Sequence, residues 1–206
     1  MLDKQNLKFF DLSSHTRYGL WFRLPTERET YVAMISKNAS SLLYDIVLES
    51  NGINTNVSEH GALNGYWYYL KDYVCTTSYV KGRKDAVKAV VVRDPLERIE
   101  SAYNTIGFGI PVETYVDRCC WSLEHLPHLY IDRHISSQFI QTDFNLANKI
   151  IPMEKLDDYL KSIGINNTRR VNCTKDRIKI DDQRLNNLLV ADYKKYNFYK
   201  NCSIVF

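Results

Sequence analysis

AVVVRDPLERIESAY, residues 89–103, sets a buried strand directly against a helix. Ala89-Val90-Val91-Val92 is a continuous apolar run, which suits a strand covered on both faces of a parallel sheet. Asp94 is a favoured N-cap and Pro95 suits a first helical turn, so a helix is expected to start here. Leu96, Ile99, Tyr103 and Ile106 recur at helical spacing and form its apolar stripe, with Ser101 well off that stripe. Arg93 therefore stands at the carboxyl end of a strand, and a hydroxyl stands on the open side of the following helix. In open α/β sheets that edge is where ligands bind. A helix N-terminus and a guanidinium together favour an anion, most simply a phosphate. Alone, such a turn is more often a solvated corner than a site.

A second turn upstream changes the weighing. Tyr31 to Ile35 reads as a buried strand, and Leu42, Leu43, Ile46 and Val47 give a helix ending near Asn51-Gly52. Between them lies Ser36-Lys37-Asn38-Ala39-Ser40-Ser41, a polar loop of small residues. Backbone N–H groups at that helix start can wrap a phosphate, with Lys37 adding a point charge. The loop is not a Walker A sequence, and Ala39 stands where a glycine is often needed. By itself it is also consistent with a plain capped helix. Both loops follow apolar strands, so in a parallel sheet they share one edge. A ligand with phosphates at two ends could span them.

The composition fits this reading without adding to it. With 206 residues, 45% hydrophobic and 25% charged, the chain is expected to be one globular domain, residues 31–199 forming its core and 1–30 packed against it. A net charge of +3 permits an acidic ligand but does not mark a nucleic-acid binder. No apolar run reaches the length of a membrane span, and the N-terminus carries no signal-peptide core. The five cysteines (Cys75, Cys119, Cys120, Cys173, Cys202) lack metal-ligand spacing and read as free thiols. One of five Asn-x-Ser/Thr sequons begins at Asn38, inside the loop, where a glycan would block it. A cytoplasmic location is therefore expected.

Elsewhere Tyr18 to Leu24 is apolar and aromatic, either a short strand or a packing segment, and Val74 to Val80 is expected to be a strand. Residues 53–65 are loop-like and hold Glu59-His60, and Trp67-Tyr68-Tyr69 can serve as core or stack on a sugar ring. Helices are expected over Pro111–Leu123, Glu154–Ile163 (closed by Gly164), Arg184–Val190 and Ala191–Tyr199, with Pro127–Gln141 irregular and a last strand at Lys149–Pro152. Strands and helices alternate, which argues for an α/β fold with a largely parallel sheet. Arg98 is expected to be a salt-bridging helix residue.

Here the chain resembles a known family. Ser36-Lys37-Asn38-Ala39-Ser40-Ser41 is similar to the 5′-phosphosulfate loop of sulfotransferases. Arg93-Asp94-Pro95-Leu96-Glu97-Arg98 through Ser101-Ala102-Tyr103 is similar to their 3′-phosphate motif, with the Arg-to-Ser spacing of eight intact. The carbohydrate sulfotransferases match best. Asp132-Arg133-His134 with Gln138, Met153-Glu154-Lys155-Leu156, Val171-Asn172-Cys173-Thr174 and the tail Tyr193 to Phe198 follow in their order. The sequence departs from them at Ser36, where proline is usual, and no Golgi-type membrane anchor is expected in it.

The resemblance implies a P-loop-NTPase-like three-layer sandwich with a central, mostly parallel sheet. It also implies 3′-phosphoadenosine 5′-phosphosulfate (PAPS) as donor, 3′,5′-bisphosphoadenosine (PAP) as product, no metal, and a hydroxyl acceptor, a saccharide by preference. Lys37 would stabilise charge on the leaving oxygen, where a cation acts on the transition state more than on the ground state. Asn38, Ala39, Ser40, Ser41 and Leu42 would cradle the 5′ end, and Arg93 with Ser101 would hold the 3′-phosphate. The acceptor needs a general base, for which His60, Glu59 and His134 are the candidates. A small P-loop-like kinase and a catalytically silent nucleotide-binding module of the same fold are the competing readings.

Overall fold

The computed structural model describes residues 19–50, 52, 73–107, 109–166 and 178–201, without the side chains of 105, 106 and 129. Five strands form one open sheet: β1 (Leu20–Leu24), β2 (Thr30–Ala33), β3 (Val74–Thr76), β4 (Val87–Val92) and β5 (Lys149–Pro152). Their spatial order is β3-β1-β2-β4-β5. β2 pairs parallel with β4, and β4 with β5, whereas β1 runs antiparallel to both of its neighbours. Four strands thus point one way and β1 points back. The aromatic stretch that sequence left open as strand or packing segment is therefore a strand inside the sheet.

Alternation along the strands builds two apolar faces. Phe22, Val32, Ala89, Val91 and Ile151 face α1 (Ser40–Ser50) and α5 (Leu156–Ser162), where Leu43, Val47 and Tyr159 pack. Trp21, Tyr31, Val90, Val92 and Ile150 lie on the other face with Val80 of α2 (Thr77–Lys81) and Tyr196 of α7 (Val190–Asn201). Each of these side chains is nearly or fully buried, worth about 1.5–3 kcal/mol apiece for the larger aliphatics. A third apolar cluster joins α3 (Pro95–Ile106), α4 (Val112–His125) and α6 (Gln183–Leu188) through Ile99, Tyr115, Cys119 and Leu185. Cys119 and Cys120 are buried free thiols on α4, and burial pushes the Cys119 thiol up to about 12.

One element differs from expectation. Val74 to Val80 is not a single strand: β3 stops at Thr76, whose side chain accepts the Tyr79 N–H and starts the short helix α2. The β-branched and aromatic composition favours a strand, but a threonine cap turned the chain. Among the described residues no helix is long and apolar enough to cross a membrane.

Candidate anion-binding site

Parallel pairing of β2 with β4 sends the loop after each strand out of the same sheet edge. The two loops touch there. Arg93 Nη1 donates to the Lys37 carbonyl at 3.0 Å. Lys37 and Ala39 both take positive φ (65° and 60°), the left-handed backbone that costs an alanine about 1–2 kcal/mol, so the loop holds its shape against local preference.

Buried side chains from residues 132–141 hold it. Asn38 is fully buried, and its Nδ2 donates to the Val91 carbonyl and to Gln138 Oε1, each at 2.7 Å. Gln138 Oε1 also accepts the Arg93 N–H at 3.1 Å, and Gln138 Nε2 donates to the Arg93 carbonyl at 2.7 Å. Three residues on, Gln141 Oε1 accepts the Ser36 N–H at 3.0 Å while its Nε2 donates to the Arg133 carbonyl at 2.7 Å. Both glutamines are buried, so these bonds are made out of water, where leaving them unmade is expensive.

Arg98 is a correction to the sequence reading. It is 1% exposed and lies inside this corner rather than on a salt-bridged helix face. Its Nη2 donates to the carbonyls of Ser36 (3.2 Å) and Arg133 (3.3 Å), and Nη1 to that of Ser136 (2.9 Å). One guanidinium thus gathers the loop after β2 and the 133–136 turn at the base of α3. Glu100 is a second such residue: 4% exposed, it accepts the Ile180 N–H at 2.9 Å and fixes residues 179–180 against α3. Sequence reasoning missed Arg98, Glu100, Asn38's structural bonds and Gln141, because each acts on backbone groups far away in the chain.

The corner is electropositive. Burial, then the Arg93 and Arg98 guanidinium groups, push the Lys37 ammonium down to about 8. Three cationic side chains therefore sit close together. α1 begins at Ser40 with no acidic residue in its first turn. Helix geometry leaves the N–H groups of Ser40, Ser41 and Leu42 without a carbonyl four residues back in the helix, so they are directed toward the loop end.

The second helix start differs from what was expected of it. Asp94 Oδ1 accepts the N–H groups of Leu96 (2.9 Å) and Glu97 (3.1 Å), and Glu97 Oε2 lies 3.5 Å from Arg93 Nε. The N-terminus of α3 is thus satisfied by its own acids and does not add to an anion site. Arg93 is 7% exposed, and Ser101 stands half-buried on α3 two turns further on.

Of the candidate bases, His134 is placed and the others are not. Its Nδ1 lies 2.7 Å from Asp132 Oδ1, which also accepts the His134 backbone N–H at 2.7 Å. A carboxylate at Nδ1 fixes the imidazole tautomer and leaves Nε2 as the basic nitrogen. Asp132 is 5% exposed, and Arg133 between the two is held by Arg98, which joins the pair to the Lys37 loop through one side chain. His60, Glu59, the Trp67-Tyr68-Tyr69 cluster and residues 171–174 lie outside the described residues. Among the described residues no three His, Cys, Asp or Glu side chains gather as metal ligands.

Comparison with protein-family models, with curated proteins and with solved structures finds no match to this chain.

Proposed function

We propose that the chain is a sulfotransferase that moves a sulfuryl group from PAPS to a hydroxyl acceptor, a saccharide by preference, by in-line displacement. The observation that carries this reading is the contact of Arg93 Nη1 with the Lys37 carbonyl, which brings the two sequence motifs to one rim. The 5′ end of the donor would lie on the N–H groups of Ser40, Ser41 and Leu42, with Asn38 and Ala39 shaping the turn. Lys37, protonated at neutral pH, would stabilise the oxygen that leaves as PAP forms. The 3′-phosphate would meet Arg93 and the Ser101 hydroxyl. His134, held by Asp132, would take the acceptor proton, with His60 and Glu59 the alternatives.

The competing silent-module reading draws on a specific observation: Arg93 is buried and already engaged by Lys37 and Glu97, which limits what it can offer a phosphate. The kinase reading would need magnesium-dependent phosphoryl transfer. Incubation with donor labelled in the sulfuryl group, and in parallel with magnesium and γ-phosphate-labelled ATP, against a panel of saccharides, phenols and tyrosine peptides, separates the three. Metal-independent label transfer is expected; donor binding with no transfer to any acceptor would favour the silent module.

A further inference from the structure

Segment 138–146 has two sides. Gln138 and Gln141 reach the strand-end loops, while Phe139 and Phe144 turn to α7 and meet Tyr199 there. On that second side is a cavity of about 420 Å³. We propose that it binds a small planar aromatic anion, at a place distinct from the Lys37 corner.

The volume lies within the range usual for small-molecule sites. Its walls are aromatic. The Phe139 and Tyr199 rings are nearly parallel, 17° apart with centroids at 5.7 Å, and Phe144 lies 4.9 Å from Tyr199. Phe198, 62% exposed, adds an apolar edge. Flat faces of this kind accept another ring by offset or edge-on stacking.

Two further observations set the polarity of the ligand. Thr142 lines the cavity and is 7% exposed, and its Oγ1 has no hydrogen-bond partner among the described residues. A polar atom on the ligand would satisfy that hydroxyl. The charged lining consists of Lys194, Lys195 and Asp143, and Asp143 Oδ1 already accepts the Asn145 N–H at 3.0 Å. The excess is cationic. Lys195 Nζ stands over the Phe139 ring, 5.7 Å from its centroid, so a cation lies at the aromatic wall.

The test is calorimetric titration of the full chain with 2-naphthalenesulfonate, with 2-naphthol as the uncharged probe. One saturable site is expected, with the naphthol about tenfold weaker. The surface double variant Lys194→Glu/Lys195→Glu, which keeps the aromatic walls, is expected to weaken the sulfonate about tenfold. Tyr199→Ala should weaken both probes. Added PAP should leave the sulfonate affinity unchanged, whether or not PAP itself binds. No saturation up to about 5 mM, unchanged affinity after charge reversal, or displacement by PAP would each overturn the proposal.

Discussion

Gln138 bonds both backbone polar groups of Arg93, donating from Nε2 to its carbonyl at 2.7 Å and accepting its N–H on Oε1 at 3.1 Å. The side chain thereby does for the end of β4 what a neighbouring strand does for its middle. The same Oε1 accepts from Asn38, so one amide spans both loops. Gln138→Leu is expected to strand three buried polar partners and lower stability by about 3 kcal/mol in urea unfolding. Affinity for PAP should fall with it. The exposed Gln183→Leu serves as control and should change stability by less than about 0.5 kcal/mol.

Arg98 is held by three carbonyls, so its fork matters as much as its charge. Arg98→Met, which leaves those buried carbonyls without their donor, is expected to cost about 3 kcal/mol or more, at roughly 1–3 kcal/mol for each acceptor left unsatisfied. Arg98→Lys keeps the charge but not the geometry, and should recover only part of that loss. Full recovery by lysine would show that charge alone sets the corner. Chemical denaturation of both variants reads the difference.

Lys37 gives a pH signature in two directions. Its ammonium lies near 8 in the folded chain against an ordinary 10.5, so between those values the unfolded chain holds a proton that the folded chain has lost. Stability from this group therefore rises with pH across that window, and the cost of the buried charge is fully present below about 8. Lys37→Met should be more stable than the parent at pH 7, with the advantage fading toward pH 10 in paired urea titrations. Anion binding runs the opposite way. PAP affinity should fall as pH rises through about 8, because the free protein then loses the charge that the phosphate favours, and binding near that pH should take up a proton.

How far the sequence showed this arrangement depends on where each signal lies. The apolar run of β4 and the Asp94-Pro95 pair are local, and together they mark a strand end and a helix start without help from the fold. The sheet edge shared by the Lys37 and Arg93 loops followed from parallel pairing alone. Gln141 is another matter, and Gln138 stands out only through the family resemblance: both sit in irregular chain, with partners 105 and 45 residues away. Arg98 misled because an arginine on a helix is usually solvated, and nothing in its neighbours announces that three carbonyls converge on it. Asp94 is legible as a cap from its neighbours alone, and its side chain has a further consequence: a carboxylate that satisfies a helix start also removes it from anion binding.

If His134 is the base, its pairing with Asp132 is part of the chemistry. His134→Ala is expected to slow transfer about 100-fold while PAP affinity stays within about twofold. Asp132→Asn should slow it as well, by releasing the imidazole tautomer. A fully active His134→Ala would move the role to His60 or Glu59, for which His60→Ala is the matching variant.

A single corner is proposed to hold a doubly phosphorylated adenosine. Calorimetric titration with PAP, set beside adenosine 5′-phosphate, tests it most directly. One saturable site is expected for PAP, about tenfold or more tighter than for the monophosphate, with that preference lost in Arg93→Ala. No heat from PAP, or equal affinity for both nucleotides, would contradict it.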